Sequence, residues 1–336
     1  MHKLRLGVIG CGEIAKYMFL FAGLNRNVKI VGCADRNIDK ARKYASYFKG
    51  AAAYDDYREM LQNLHLDAVY IALPHYLHYP VMREIIQSGI HVFCEKPVVS
   101  DYDEALDIVD MAGKCQIKVG VNYQYRYNNA CYRMARAAQN GELGELYYGI
   151  CNIPWCRSED YFTKSTWHSL RERSGGGTLM THGSHGLDIL LWSFGSRPEQ
   201  AAGFCANRKF TSIEVEDLCM GIVELESGAL LQLSSSVAAT DEQPVSITIY
   251  GSKGTAVCEC GDITSRLEFL SIKVPKYKVG IPGGHPLGRS LEAFRRWVLY
   301  DMPYHNSIED ALPVLSTVLA IYENAQGDNK TPVRIK

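Results

Sequence analysis

A glycine-rich turn near the start of the chain restricts the fold more than any other feature. The apolar segment from Leu4 to Ile9 is typical of a buried strand, and it leads into Gly10-Cys11-Gly12-Glu13-Ile14-Ala15, a G-x-G-x-x-A turn that opens a helix to about Leu24. Gly10 allows a tight reversal, and Gly12 lets an anion approach the backbone. Alone this pattern is weak, because ordinary turns also contain glycines.

An acidic residue after the second predicted strand strengthens the interpretation. The strand from Val28 to Ala34 ends at Asp35, where a carboxylate would accept hydrogen bonds from the ribose of a dinucleotide. Asp35 would repel a 2′-phosphate, which favours NAD over NADP, whereas Arg36 either tolerates NADP or is a solvated charge. The residues expected to bind the cofactor here are Gly10, Gly12, Glu13, Ile14, Asp35 and Arg36.

Composition excludes several classes of protein. With 336 residues, 47% hydrophobic and 22% charged, the chain is long for a single core and ordinary for two globular domains. A formal net charge of -1 without a basic segment argues against nucleic-acid binding, and no apolar run approaches the roughly 18 residues of a membrane span. We expect no leader before the first strand.

Cysteine usage predicts a cytoplasmic protein. The 11 cysteines form no C-x-x-C pair, and the closest spacings, Cys258/Cys260 and Cys151/Cys156, match neither a zinc site nor a disulfide framework. We interpret them as reduced thiols that serve as small core residues, which fits a reducing compartment.

The order of predicted elements indicates two domains. Strands and helices alternate through the first third, which is typical of a parallel sheet covered on both faces, whereas longer alternating strands follow from Leu146 onward, with hairpin turns at 226–228 and 251–254. We expect an α/β protein with a doubly wound Rossmann domain (1–122) and an α+β domain (123–336) with a large, mostly antiparallel open sheet. The C-terminal segment could pack back on the first domain. The open sheet predicts a homodimer or homotetramer.

The loop after a predicted strand from Asp67 to Leu73 contains two histidines. Pro74 ends the strand, and we expect the loop to lie near the cofactor ribose, since ligands of such sheets bind at the carboxyl ends of strands. Alternatively, the histidines only pack in the loop. The residues of this candidate cofactor contact are Leu73, Pro74, His75 and His78.

Two further polar segments follow strands. Glu95-Lys96-Pro97 would place a charged pair at a buried strand end, and burying such charges is costly unless they have a function or a partner. Alternatively, Glu95 and Lys96 form a solvated pair at the surface. Tyr125-Arg126-Tyr127 would place Arg126 near the cofactor, or else the arginine stacks between tyrosines.

The segment 174–194 contains three consecutive glycines and then a helix with one apolar face. Its other face carries no Lys, Glu or Arg, so we expect it to line a half-buried polar cleft; the alternative is a network of satisfied buried histidines. Asp188 could support the hydrogen bonding of the helix. The i, i+3 pair His182 and His185 has no obvious acidic third ligand, so no metal is expected. This polar face comprises Thr178, Thr181, His182, His185, Asp188 and Trp192.

These residues together resemble the glucose-fructose oxidoreductase / inositol dehydrogenase / rhizopine catabolism protein family of NAD(P)-dependent oxidoreductases, over nearly the whole chain. The resemblance implies that Lys96 and His185 flank the substrate carbon facing the nicotinamide. Many members have an aspartate where this chain has Thr181, and we expect His182 to take part of its role. The motifs are Gly10 to Ala15, Pro74 to His78, Glu95-Lys96-Pro97, Tyr125-Arg126-Tyr127, Trp167, Gly175-Gly176-Gly177, Gly183-x-His185-x-x-Asp188 and Val215-Glu216-Asp217.

The resemblance implies hydride transfer between NAD and a secondary alcohol or ketone carbon of a sugar, glycoside or cyclitol. His185 would accept the hydroxyl proton, and Lys96 would hydrogen-bond the developing alkoxide. The alternative is a non-catalytic NAD(P)-binding sensor or regulator of the same fold. Substrate contacts, each of which could instead be packing, are expected from Tyr125, Trp155, Tyr161, Trp167, His168, Arg171 and His285.

Overall fold

The strands of the protein form two sheets. The structure is a computed structural model that describes residues 3–261, 264–327 and 331–336; Met1 and His2, where the leaderless start was expected, lie outside the described residues. The strands are β1 (Leu4–Ile9), β2 (Val28–Ala34), β3 (Ala52–Tyr54), β4 (Ala68–Ile71), β5 (His91–Cys94), β6 (Val119–Val121), β7 (Leu146–Pro154), β8 (Pro198–Ala206), β9 (Leu218–Leu225), β10 (Leu230–Ser236), β11 (Val245–Gly251), β12 (Thr255–Cys260), β13 (Ser265–Leu270) and β14 (Val333–Arg334).

Helices connect and cover these strands. Short 3-10 turns lie at His75–Leu77, Gln124–Tyr127 and Thr166–Ser169, and a π-helical turn lies at Leu179–Gly183. The α-helices are α1 (Glu13–Leu24), α2 (Ile38–Ala45), α3 (Tyr57–Asn63), α4 (His78–Gln87), α5 (Tyr102–Cys115), α6 (Asn129–Gln139), α7 (Asp160–Thr163), α8 (Arg171–Ser174), α9 (Ser184–Phe194), α10 (Pro286–Tyr300) and α11 (Ile308–Gln326).

The first of two compact units is a doubly wound α/β unit made of the residues up to Gln124 and of Ile281–Asp310. Its sheet has the order β3-β2-β1-β4-β5-β6, and every neighbouring pair is parallel. The connections reverse direction between β1 and β4, which places a ligand crevice at the carboxyl ends of these two strands. The predicted Rossmann fold is confirmed.

Helix α10 completes the core of the first unit although it lies far along the chain. Phe294 stacks on Phe93 of β5 with ring centroids 4.8 Å apart, and a Cβ on Gly120 of β6 would come within 2.8 Å of the Phe294 ring. The glycine therefore allows the helix to pack directly on the strand.

The second unit comprises Tyr125–Gly280 and the residues from Ala311 onward. Its sheet has the order β13-β12-β11-β7-β10-β9-β8-β14, in which only β7 and β10 pair in parallel among the described strands. The expected turns connect the antiparallel pairs β9/β10 and β11/β12. The predicted mostly antiparallel sheet is confirmed.

Glycines let helices approach this sheet. A Cβ on Gly149 of β7 would lie 2.9 Å from Leu190 and Phe194 of α9, and Cβ atoms on Gly203 and Gly221 would lie 2.8 Å from Ile321 of α11. One face of the sheet is therefore buried under helices, while the opposite face carries the exposed side chains Phe204, Met220, Ile222 and Leu230.

The elements that sequence patterns did not predict are short. Strand β3 is the apolar run Ala-Ala-Tyr and β14 has two residues, so neither shows an alternating pattern. The helix predicted after the triple glycine is divided into a π-helical turn and α9, because the i→i+5 turn does not continue the α-helical hydrogen bonds.

The buried ion pair between Glu292 and Arg295 in α10 should make the stability of the protein depend on pH. Burial alone would raise the pKa of Glu292, but hydrogen bonds from Arg295, Asn25 and Arg296 lower this pKa to about 2. The folded-state pKa lies below the unfolded value, so the stabilisation is present above about pH 5 and is lost as the pH falls toward about 2.

We expect the difference in unfolding free energy between wild type and Glu292→Gln to be largest at about pH 7 and to shrink by about 1 kcal/mol at about pH 3.5, as measured by urea unfolding. The matched control is Asp110→Asn, which removes an exposed pair with Lys114 and should change little at either pH. A difference that does not depend on pH would contradict the assigned pair.

Candidate active site

The glycine turn of the first unit is shaped for an anion. Gly10 has φ +92°, and a Cβ there would lie 2.3 Å from the carbonyl oxygen of Ala72, just after β4. At Gly12, the N-cap of α1, a Cβ would meet nothing within 4 Å, so this backbone is open to a ligand. The free N–H groups of the helix start therefore fit the pyrophosphate of a dinucleotide. Glu13 and Ile14 follow in the first helical turn and are exposed.

Asp35 lies beside this turn. Its Oδ2 accepts a hydrogen bond from the backbone N–H of Cys11 at 2.9 Å, and its Oδ1 accepts one from Asn37 at 2.9 Å. The carboxylate thus braces the glycine turn, and its expected contact with a ribose stays a prediction. Arg36 is exposed, so both its interpretations stay open.

The loop after β4 is held from inside by His78. This side chain is fully buried, and its Nδ1 and Nε2 each lie 2.9 Å from a backbone oxygen, that of Pro97 and that of Leu73. Burial lowers the pKa of His78. His78 therefore braces two loops from beneath, which is the packing alternative; a direct cofactor contact stays a prediction. Pro74 is half-buried and His75 is buried nearby.

Glu95, directly after β5, lies in a hydrogen-bond network that sequence patterns did not reveal. The Tyr70 hydroxyl and the Asn122 amide (2.7 Å) donate to the Glu95 carboxylate, and Ser290 donates to Asn122 at 2.9 Å. Burial raises the pKa of Glu95, and these two hydrogen bonds act against it. Glu95 is therefore not a solvated surface charge, and the network fixes the backbone that carries the half-buried Lys96.

In the second unit, a buried carboxylate organises the triple glycine. Glu216 accepts hydrogen bonds from the N–H groups of Gly177 and Leu179, both at 2.9 Å, and from the Tyr322 hydroxyl at 2.8 Å. A Cβ on Gly177 would lie 1.9 Å from the Glu216 carbonyl oxygen, and one on Gly176 would lie 2.2 Å from the Tyr322 hydroxyl. The glycines are needed because these partners approach the backbone so closely.

The candidate catalytic residues lie directly after the triple glycine in the chain. Thr181 and His182 lie in the π-helical turn and His185 in the first turn of α9; all three are buried. The Thr181 hydroxyl donates to the Gly177 carbonyl at 2.7 Å. Because π-helical turns are rare and cluster at functional sites, this turn marks the segment independently of its histidines.

Several of the predicted substrate residues form one aromatic group around His182. The ring of Trp155 lies 4.8 Å from His182, and Tyr161 lies 4.2 Å from His168, which Trp167 contacts at 3.8 Å. A small cavity of about 10 Å³ lies here, lined partly by Tyr161, His168, Thr181 and His182. Tyr125 lies 5.1 Å from His185.

Two further predicted substrate residues have contacts of their own, and their substrate roles stay predictions. His285 is in the first unit, where it caps α10 by accepting from the Leu287 N–H at 3.2 Å and stacks on Phe21 at 4.4 Å. The Arg171 guanidinium lies 5.5 Å from the Tyr322 ring. Sequence spacing could not show either contact, since both partners are distant in the chain.

Arg126 forms a buried ion pair, and its expected place near the cofactor stays a prediction. Its guanidinium donates to Asp188 at 2.6 and 3.0 Å, and it lies 5.4 Å from the Trp192 ring. Asp188 is completely buried. A buried carboxylate requires a cation or several donors, and the pair with Arg126 meets this requirement. The predicted polar cleft and the predicted support of the helix by Asp188 stay predictions.

Comparison with known proteins identifies the family. Residues 4–123 match the profile of an oxidoreductase family with an NAD-binding Rossmann fold, and residues 132–257 match the GFO/IDH/MocA C-terminal domain. The chain belongs to the GFO/IDH/MocA oxidoreductase family. Its first unit is therefore an NAD-binding Rossmann domain, and the predicted family and cofactor are confirmed.

Relatives span the full length of this GFO/IDH/MocA chain. The D-glucoside 3-dehydrogenase of Escherichia coli (strain K12) is 24% identical over 96% of this chain and 95% of its own. The WlbA dehydrogenase from Bordetella pertussis, solved with NADH and UDP-GlcNAcA, has a TM-score of 0.85 at 24% identity, covering 100% of this chain and 99% of its own. An aldose-aldose oxidoreductase from Caulobacter crescentus, solved with glycerol, has a TM-score of 0.88 at 18% identity, covering 99% and 100%.

Among the helices that the structure describes, none combines the length and the apolar character needed to cross a bilayer.

The Glu216 network generates a stability prediction. Glu216→Gln keeps the shape but places an amide donor against an N–H group, so we expect a loss of about 1–3 kcal/mol in thermal or urea unfolding. Tyr322→Phe should cost about 1–2 kcal/mol, because it removes the hydroxyl that donates to Glu216 and accepts from the Met180 N–H, but leaves the hydrogen bonds of Gly177 and Leu179 to Glu216. The control Glu226→Gln, at an exposed turn, should be neutral. Equal stability of Glu216→Gln and the control would contradict the network.

Proposed function

We propose that this GFO/IDH/MocA chain is an NAD-dependent dehydrogenase or reductase acting on a CH–OH group of a sugar, glycoside or cyclitol. The observation that carries the proposal is the buried segment from Thr181 to His185, where two imidazoles lie among aromatic rings in a chain whose first unit binds NAD. Such an arrangement suits proton transfer next to a polyol, because imidazole titrates near neutral pH and aromatic faces pack on sugar rings.

The residues of the first unit would hold the cofactor and an oxyanion. Gly10, Gly12 and the start of α1 fit the pyrophosphate, and Asp35 fits the ribose. Bound NAD would exchange a hydride with the substrate carbon. Lys96, on the backbone fixed by the Glu95 network, would donate a hydrogen bond to the substrate oxygen and stabilise its negative charge.

The residues of the second unit would handle the proton. His185 would accept the hydroxyl proton during oxidation and return it during reduction. His182, which contacts Trp155 in the aromatic group, would orient the substrate and share the proton transfer with His185. It would thereby take part of the role of the aspartate that many relatives have at the position of Thr181. Thr181 supplies a neutral hydroxyl that is directed to the backbone, so it cannot replace that carboxylate charge.

Relatives support a carbohydrate substrate. The proteins to which this chain is similar include an enzyme named for D-glucosides and structures solved with UDP-GlcNAcA and with glycerol. The group formed by Trp155, Tyr161, Trp167 and His168 provides flat faces and polar edges of the kind that bind polyols. The alternative role is a sensor that binds NAD without turnover. It is favoured only by Thr181, which stands where many relatives have an aspartate.

Catalytic roles predict a separation between cofactor binding and turnover. We expect Lys96→Ala and His185→Ala to bind NADH with affinity within about two-fold of wild type but to lose about 10²–10⁴-fold in turnover, measured by NADH absorbance with a panel of sugars, glycosides and cyclitols. Controls are Lys49→Ala and His65→Ala at exposed positions of the first unit.

Near-normal turnover in Lys96→Ala or His185→Ala would contradict that residue's role. A wild-type protein that binds NADH tightly yet turns over no member of the panel in either direction would favour the sensor.

We also propose that the exposed face of the second sheet pairs with a second copy. Phe204 is 71% exposed, and Met220 and Ile222 on the adjacent strand are 54% and 57% exposed. Monomeric proteins rarely expose large contiguous apolar patches. An open sheet face of this type is buried most simply by the same face of another subunit.

The double variant Phe204→Lys/Ile222→Lys should therefore reduce the solution mass, measured by light scattering, from a dimer or tetramer to a smaller species, because lysines on a self-complementary face repel. The control Leu24→Lys changes a 70% exposed leucine of α1 and should leave the mass unchanged. A monomeric wild type, or a variant with unchanged mass, would contradict this interface.

A further inference from the structure

Three cysteines far apart in sequence meet inside the second unit. Cys131 lies in the first turn of α6, and Cys258 and Cys260 lie two residues apart on β12, so both point to the same face of the strand. The Cys131 and Cys260 sulfurs are 2.9 Å apart, those of Cys258 and Cys260 are 3.2 Å apart, and all three lie within 4.8 Å of one another. We call this group the thiol cluster.

The thiol cluster is isolated from water. The three residues are at most 1% exposed. In the part of the chain that the structure describes, no carboxylate or imidazole joins the group, so its donors are sulfur alone. The sulfurs of Cys205 and Cys219 are also close, at 3.3 Å, because these residues are direct cross-strand neighbours, and they form only a pair. The thiol cluster differs, because Cys131 comes from helix α6 and not from a neighbouring strand.

Hydrogen bonds fix the two elements that carry these sulfurs. Asn128, the N-cap of α6, accepts from the backbone N–H of Cys131 at 3.4 Å, and its amide donates to Ser265 at 2.7 Å. Ser265 is the β13 residue directly opposite Cys260. The start of α6 is thus tied beside the end of β12, which keeps the three sulfurs together and reduces the cost of ordering them around a ligand.

We propose that Cys131, Cys258 and Cys260 form a three-coordinate thiolate site for a soft monovalent ion, Cu(I). Sulfur donors select soft ions, and zinc almost always requires a fourth ligand, which this buried group does not offer. With metal–sulfur bonds of about 2.3 Å, three ligands in a plane lie about 4 Å apart, so the closest sulfurs would move apart by about 1 Å. Each thiol that binds as thiolate releases its proton to solvent.

The test uses the full chain, reduced and handled without oxygen, and titrated with Cu(I) against a chromophoric Cu(I) chelator. We expect one equivalent of Cu(I) to resist the chelator and X-ray absorption to show about three sulfur neighbours at about 2.3 Å. Cys258→Ser and Cys260→Ser should each weaken retention by about 100-fold or more. The control Cys205→Ser/Cys219→Ser, which removes a thiol pair outside the cluster, should retain the ion.

Several results would overturn the site. The first is that the chelator removes Cu(I) equally well from wild type and from Cys258→Ser. The second is that the protein binds Zn²⁺ tightly but not Cu(I). The third is that the mass of the reduced protein is lower by two hydrogens, which would show a disulfide between Cys131 and Cys260. Circular dichroism and NADH binding check that the variants are folded. If a variant does not fold, the stoichiometry and sulfur count of the wild-type protein decide the question, and their absence overturns the proposal.

Discussion

The buried carboxylate of Glu216 is the constraint on which the second unit depends. A charged oxygen pair inside a protein is costly unless donors surround it, and here two backbone N–H groups and the Tyr322 hydroxyl meet it. That requirement explains why Gly176 and Gly177 lack side chains, since any Cβ would collide with the donors or acceptors. It also fixes the start of the π-helical turn, and so the backbone that carries His182. The backbone of this segment therefore depends on a carboxylate that is more than 30 residues away in the chain.

The first unit follows the same logic with a different network. Glu95 is held by Tyr70 and Asn122, and this network fixes the strand end that carries Lys96. In both units a buried acid organises the backbone of a segment that carries a residue proposed for catalysis. Since a buried polar network stabilises a protein only when its members are satisfied, such networks also select a single local conformation.

Local patterns were sufficient for the Rossmann fold of the first unit, although not for its short strand β3 or for the packing of α10. The strand and the glycine turn are contiguous in sequence, and Asp35 directly follows the next strand. In the structure Asp35 accepts a hydrogen bond from the Cys11 N–H of that turn. Long-range partners were not predictable. Nothing near Arg126 indicates that it pairs with Asp188, and nothing near His285 indicates that it stacks on Phe21, because each partner is determined by tertiary packing. The thiol cluster was missed for the same reason.

Isotope transfer tests directly whether this chain transfers a hydride from a substrate to NAD. The protein would be incubated with NAD⁺ and with glycosides, sugars and cyclitols that carry deuterium on the carbons bearing secondary hydroxyls, and the recovered cofactor would be analysed by mass spectrometry. The account predicts that, for at least one substrate, deuterium appears on the reduced nicotinamide ring together with a primary isotope effect on turnover. Oxidation with the deuterium lost to solvent, or tight NAD binding with no label transferred from any compound, would contradict it.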